Sequence, residues 1–187
     1  MSSSLIVDLE ATCFEGCELG DMEIIEIGAC RVDQIGRIED SFSSFVKPSR
    51  SSITAYCTEI TNITVRDVAA APSLALAFNK MHDWLQMSGS HPTNWYSWGA
   101  FDRRLIEQEC SEKNITHPLP SHLCAKKLFQ KRQLPKGKRV GLNKALVLKG
   151  LQFEGIPHRA LDDALNVARL FTYFANETSR TGIDNKE

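Results

Sequence analysis

Two carboxylates, Asp8 and Glu10, close the apolar stretch Ser4-Leu-Ile-Val-Asp-Leu-Glu-Ala-Thr12, a place where a folded protein rarely leaves charge without use. In a β-strand, side chains two apart share a face and each residue advances about 3.3 Å. The two acids therefore point the same way, roughly 7 Å apart along the strand. Oxygens so placed can converge on one or two metal ions. Leu5, Ile6 and Val7 read as a central strand covered on both faces, and ligand sites in open α/β sheets lie beyond the ends of such strands. The plain alternative is a strand that ends in two solvated acids, so other residues must decide.

Two further acids have the direction such a site needs. Asp102 opens an expected helix in which Leu105, Ile106 and Cys110 stand three, four and eight positions later, so Asp102 shares their inward stripe. Arg103, Arg104, Glu107 and Gln108 take the other side. A carboxylate in a first turn also suits the helix dipole, which alone would explain it. The segment His158-Arg-Ala-Leu-Asp-Asp-Ala164 offers two acids that helix geometry separates. Asp163 is followed by Val167, Leu170 and Phe174 on the core-facing stripe, whereas Asp162 aligns with Asn166, Arg169 and Tyr173 on the polar side. Asp163 is the catalytic candidate and Asp162 a capping one. His158 follows Gly155 and Pro157 on a loop, free to sit over a site rather than in the core.

The elements that must position these groups alternate between strand and helix. After the first strand, residues 13–21 read as a loop and 23–32 as a second strand. A third strand over 41–46, ended by Pro48, forms an antiparallel hairpin with the second. Residues 49–73 are irregular or short-helical, and Leu74, Ala77, Phe78, Met81, Trp84 and Leu85 repeat at helical spacing. A fourth strand at 93–97 precedes a helix over 101–112, a short strand-to-helix element over 123–130, a helix over 141–149 and a last helix over 161–175. This order implies a mixed sheet in an α/β sandwich. The expected organisation is one domain over 1–175 and a polar tail over 176–187.

Composition narrows the partners. With 187 residues and 42% hydrophobic content the chain can bury a full core. The start lacks the pattern of a secretory leader and no run of about eighteen apolar residues occurs, so a cytoplasmic protein without a membrane partner is expected. Six cysteines, among them Cys13 and Cys17 four apart, lack the second pair a zinc module needs and read as reduced thiols. The net charge of -1 hides an asymmetry: residues 8–40 hold ten acids against Arg31 and Arg37, while residues 126–149 hold nine lysines and arginines and no acid. An acidic pocket with a basic approach suits a polyanion, though a basic run is by itself more often a solvated surface.

The ordered set Asp8-Leu-Glu10, Asp102, His158 and Asp163 resembles the DEDDh 3′-to-5′ exonucleases over most of the chain, from about Leu5 to Phe174. The segments Asp-Leu-Glu-Ala-Thr-Cys, Glu-Ile-Ile-Glu-Ile-Gly, Ser-Trp-Gly-Ala-Phe-Asp102 and His-Arg-Ala-Leu-Asp-Asp-Ala-x-Asn-x-Ala-Arg resemble its ERI-1/3′hExo-like subgroup, which includes bacterial KapD-like proteins. The resemblance implies an RNase H-like α/β fold, a mixed five-stranded sheet flanked by helices on both faces. It also implies two Mg²⁺ or Mn²⁺ ions per site. Asp8 would bridge them, Glu10 and Asp163 would complete the site of the nucleophile-activating ion, and Asp102 would hold the second. His158 would be the general base, a role that suits histidine's ordinary pKa of about 6.5. Ala11, Thr12, Tyr56 and Phe101 would contact the substrate, the two aromatics by stacking on the terminal base. The implied substrate is the 3′ end of single-stranded nucleic acid, RNA before DNA, released as nucleoside 5′-monophosphates; no protein partner is assigned. The alternatives are a DNA-directed or mixed exonuclease, a catalytically silent nucleic-acid-binding domain, and a phosphatase acting on mononucleotides. Two positions depart from the subgroup's pattern: Pro157 stands where Gly-x-His-His-Arg has histidine, and Ile60-Thr-Asn-Ile63 where Leu-Thr-Gly-Ile has glycine.

Overall fold

The computed structural model describes residues 3–87 and 92–175, so the expected polar tail over 176–187 lies outside the described residues. Strands β1 (Ser4–Ala11) and β2 (Ile24–Val32) pair antiparallel, with Ile6 opposite Cys30, Asp8 opposite Gly28 and Glu10 opposite Glu26. β3 (Ile38–Phe45) completes the expected hairpin but begins at Ile38 rather than Ser41. The irregular stretch that follows holds two short helices, α1 (Ala55–Thr61) and α2 (Val65–Ala69), and leads into α3 (Leu74–Met87). β4 (Asn94–Ser97), α4 (Phe101–Glu112) and β5 (Ser121–Cys124) come next, then α5 (Ala125–Gln133) and α6 (Leu142–Leu148). β4 and β5 add in parallel on the far side of β1, giving the sheet order β3-β2-β1-β4-β5.

Helical spacing predicts one helix over 161–175, but the chain makes two, α7 (Ala160–Arg169) and α8 (Phe171–Phe174). At Leu170 the bonding tightens: its N–H reaches the Val167 carbonyl at 3.0 Å, and the Tyr173 N–H reaches the Leu170 carbonyl at 2.9 Å. Such three-residue bonds wind the chain more tightly than an α-helix, and Leu170, Phe171 and Phe174 all end up in the core. Among the described residues no helix is long and apolar enough to cross a membrane.

Alternation along β1 sorts the core into two faces. Leu5, Val7, Leu9 and Ala11 pack with Leu74, Phe78 and Met81 of α3 and with Leu105 and Ile106 of α4. Ile6 packs on the other face with Phe129, Leu146, Val167 and Phe174 from α5 to α8. Each fully buried Leu, Ile or Phe contributes about 1.5–3 kcal/mol, so both faces are firmly held. Asp8 and Glu10 continue the Ile6 row past the end of its apolar cluster, and the sheet thereby delivers two acids to its own margin.

Candidate active site

α7 approaches β1 across β2, most closely at Gly28, the cross-strand partner of Asp8. A Cβ at Gly28 would lie 2.1 Å from the Ala160 carbonyl carbon and the Leu161 nitrogen, so only glycine lets the start of α7 rest on the strand. Glu26 then fixes that start. It is 1% exposed and accepts from Arg159 Nη2 and Nε at 2.8 and 3.1 Å and from the Ala160 N–H at 3.0 Å. Arg159 gives α7 no side-chain cap of its own, and the Glu26 carboxylate supplies both the acceptor and the negative charge that a helix start favours.

So placed, α7 brings Asp163 to β1. One ligand oxygen each from Asp8, Glu10 and Asp163 lie within 4.8 Å of one another, and among the described residues no other three Asp, Glu, His or Cys side chains converge in this way. Asp102 enters from α4. β4 pairs with β1 only at Leu5 and Ile6, and farther along the Leu9 N–H donates instead to Asp102 Oδ1 at 3.2 Å. The Ser97 hydroxyl donates to the Gly99 carbonyl at 3.3 Å and lies 3.0 Å from His122 Nε2, at the end of β4 that leads into α4. His158 takes the left-handed conformation at φ 62°, which turns its N–H onto Asp163 Oδ2 at 2.8 Å and leaves the imidazole at the exposed rim. All five groups line one open cleft of about 290 Å³, with Trp98, Phe101 and Leu142 on its walls.

The electrostatics are those of a site that wants a cation. Burial, then Asp163, Glu26 and Asp102, push Glu10 up to about 8 against the opposing pull of Arg159. Asp8 is raised well above the ordinary carboxylate range by burial first and by its acidic neighbours second. Asp102 rises to about 6 through burial, restrained by Ser97 and the Leu9 N–H, and burial also raises Asp163 against the His158 N–H bond. Hard oxygen donors gathered at this density fit a divalent cation such as Mg²⁺ or Mn²⁺ and suit no soft metal.

The other residues singled out by sequence fall in different places. Phe101 is 42% exposed on the cleft wall. Tyr56 is 44% exposed on α1 and is not among the residues lining the cleft, although α1 is tied to the end of β1 by Thr54 Oγ1 on the Cys13 carbonyl at 2.7 Å. Ala11 and Thr12 are buried, and Thr12 Oγ1 accepts the Glu23 N–H at 2.9 Å. Asp162 points away from the cleft and accepts the Ile156 N–H at 2.8 Å. The polar stripe it begins is not turned wholly to solvent: Asn166 is 1% exposed. Asn166 bonds both backbone groups of Glu154, and Arg169 holds the Gln152 carbonyl at 2.7 Å, so the stripe straps down the loop that carries His158. Gly155 permits this, since a Cβ there would meet Asp162 Cγ at 2.5 Å. Sequence reasoning missed Glu26, Gly28, Ser97, Arg159 and Asn166; a charge and a glycine inside an apolar strand were the available signals for the first two.

Comparison with known proteins agrees with this geometry. An exonuclease family model, RNase_T, matches residues 5–171. The chain is 30% identical over 208 residues to ERI1 exoribonuclease 2 of Danio rerio, covering 98% of this chain and 37% of that protein. It is 30% identical to the 3′-5′ exonuclease eri1 of Schizosaccharomyces pombe, covering 92% of this chain and 68% of that one. Among solved structures, the nuclease domain of 3′hExo, a DEDDh family member bound to rAMP, superposes with a TM-score of 0.85 at 24% identity, covering 100% of this chain and 98% of that chain. The fold is thus the RNase H-like fold of that domain, and this chain belongs to the RNase_T exonuclease family, within its ERI-1/3′hExo-like DEDDh group.

Proposed function

We propose that the chain is a metal-dependent 3′-to-5′ exonuclease that hydrolyses the terminal phosphodiester of single-stranded nucleic acid, RNA before DNA, and releases nucleoside 5′-monophosphates. The observation that carries this reading is the convergence of Asp8, Glu10 and Asp163 in one cleft with Asp102 and His158. The S. pombe relative is named a 3′-5′ exonuclease and the D. rerio relative an exoribonuclease, which supports both the direction of attack and the preference for RNA.

Asp8, Glu10 and Asp163 would hold one divalent ion and Asp8 with Asp102 a second, Mg²⁺ being the first choice and Mn²⁺ the substitute. Bound there, such ions supply a water nucleophile at neutral pH and neutralise charge on the phosphate and the leaving oxygen. The chain's own groups do the rest. His158 takes the proton of the attacking water at a ring nitrogen, and its own N–H bond to Asp163 fixes the imidazole loop against a metal-holding carboxylate. Asp102 is oriented by the Leu9 N–H on its Oδ1. Phe101 on the cleft wall and Tyr56 on α1 offer exposed faces on which the terminal base stacks, and Ala11 and Thr12 shape the backbone beside Glu10.

Single-stranded RNA and DNA oligomers labelled at either end, digested with Mg²⁺ and with chelator, test the reading. A 3′ label should leave at once as a mononucleotide, and the 5′-labelled strand should shorten stepwise. Internal cuts, loss of the 5′ label first, or turnover in chelator would overturn it.

A further inference from the structure

Outside the catalytic cleft, the basic run of the sequence gathers around a second concavity. Lys131, Lys136, Lys138 and Arg139 line a groove of about 450 Å³ between the end of α5 and the turn before α6, with Leu134 and Pro135 among its walls. Six cations elsewhere, Arg31, Arg50, Arg103, Lys113, Arg159 and Arg169, each hold a carboxylate. Among the described residues the four groove cations hold none, and residues 126–149 contain no acid to offer. Like charges gathered within a Debye length of about 8–10 Å repel one another, so a concavity lined by four of them is relieved by an anion.

The groove is also built and placed. Its turn is closed by the Lys138 N–H on the Pro135 carbonyl at 3.2 Å, with Gly137 at φ 84° supplying the left-handed step. Buried Val140 anchors the end of the turn, Gly141 starts α6, and the next residue, Leu142, already lines the catalytic cleft. Two residues separate Arg139 from Leu142, three steps or at most about 11 Å of chain, so a strand of a few nucleotides spans both sites. We propose that this groove is a subsite for the sugar-phosphate backbone upstream of the 3′ end. The proposal rests on the exonuclease reading above and adds where the strand runs.

The test is equilibrium binding of a labelled single-stranded RNA of about twelve nucleotides and of a dinucleotide, in chelator to prevent turnover, from about 50 to 200 mM salt. Lys136→Gln, Lys138→Gln and Arg139→Gln are combined in one variant. Each lost phosphate contact lowers the slope of log affinity against log salt by about 0.7 on a single strand, so the variant's slope should be shallower by about 2. Its deficit on the long strand should then shrink about 16-fold across that salt range, and the advantage of long over short ligand should collapse. An unchanged slope, or an equal loss on dinucleotide and long strand, would overturn the proposal. Failure of the wild-type protein to shorten any oligomer with Mg²⁺ would instead refute the exonuclease reading, and the binding slopes would still score the groove.

Discussion

Replacing Glu10 by Gln should stabilise the metal-free protein at mildly alkaline pH. The folded state holds Glu10 at about 8, against 4.5 for the free side chain. Between those values the folded protein binds a proton that the unfolded chain has released, so stability falls as pH rises through the window. At about 1.36 kcal/mol per unit, and with Glu10 half ionised by pH 8, it alone costs the chelated wild type about 1.6 kcal/mol between pH 6.5 and 8. For a domain of this size that is a fall in Tm of about 3–6 °C. The interval lies above the range in which Glu23, held well below the carboxylate range against the cost of burial by Lys113 and Ser49, changes its contribution. His122, held down to about 4 by burial, has the opposite sign and offsets about 0.4 kcal/mol of the fall as the unfolded chain's imidazole loses its remaining proton above 6.5. Thermal melts in chelator at the two pH values, for wild type and Glu10→Gln, measure the slope, and Asp8 and Asp163 keep part of it in the variant because they too are raised. A wild-type Tm that is flat or rises with pH, or a Gln variant with the wild-type slope, would show that the carboxylates are not under the repulsion described.

Four further outcomes follow from the same geometry. Asp163→Asn should abolish hydrolysis, while Asp162→Ala, which loses only the Ile156 N–H contact, should keep substantial activity; the reverse pattern in a turnover assay would exchange their roles. His158→Ala should lower the maximal rate about a hundredfold or more with little change in the metal requirement, and calorimetry showing lost metal binding would move His158 into the ligand set. Phe101→Ala and Tyr56→Ala should each weaken capture of the terminal nucleotide by about 1–3 kcal/mol at every salt concentration, and a salt-dependent loss would argue against stacking. Gly28→Ala should prevent α7 from docking, because its Cβ would occupy backbone atoms of Ala160 and Leu161, and a soluble variant with wild-type Tm would contradict the packing described.

The groups that face the cleft were legible because a face is a local property. Period-two spacing put Asp8 and Glu10 on one side of a strand, and period-3.6 spacing separated Asp163 from Asp162. What holds those groups was not legible, because it depends on partners far apart in the chain. Glu26 and Arg159 are separated by 133 positions and Leu9 and Asp102 by 93, and neither pair leaves a mark on local periodicity. The same limit hid the partners of Asn166. Its spacing from Asp162 marks a polar stripe, and that stripe meets a loop whose backbone groups need partners, supplied by residues 152–156.

The two departures from the subgroup's pattern can be decided on backbone geometry. Asn62 ends α1 at φ 57°, the left-handed position that glycine takes most easily, and asparagine is one of the few other residues that enters it at modest cost. The turn into Ile63 is therefore kept, and Ile63 remains fully buried. Pro157 acts on its neighbours instead. Its ring fixes its own φ and confines Ile156 to extended backbone, in a loop already pinned by Asp162 at the Ile156 N–H. His158 must reach φ 62° for its N–H to meet Asp163, a conformation uncommon outside glycine. A proline just before it narrows what the unfolded loop can sample without touching the imidazole or any carboxylate. Both substitutions thus leave the donor set of the cleft intact and bear only on how firmly the chain beside it is held.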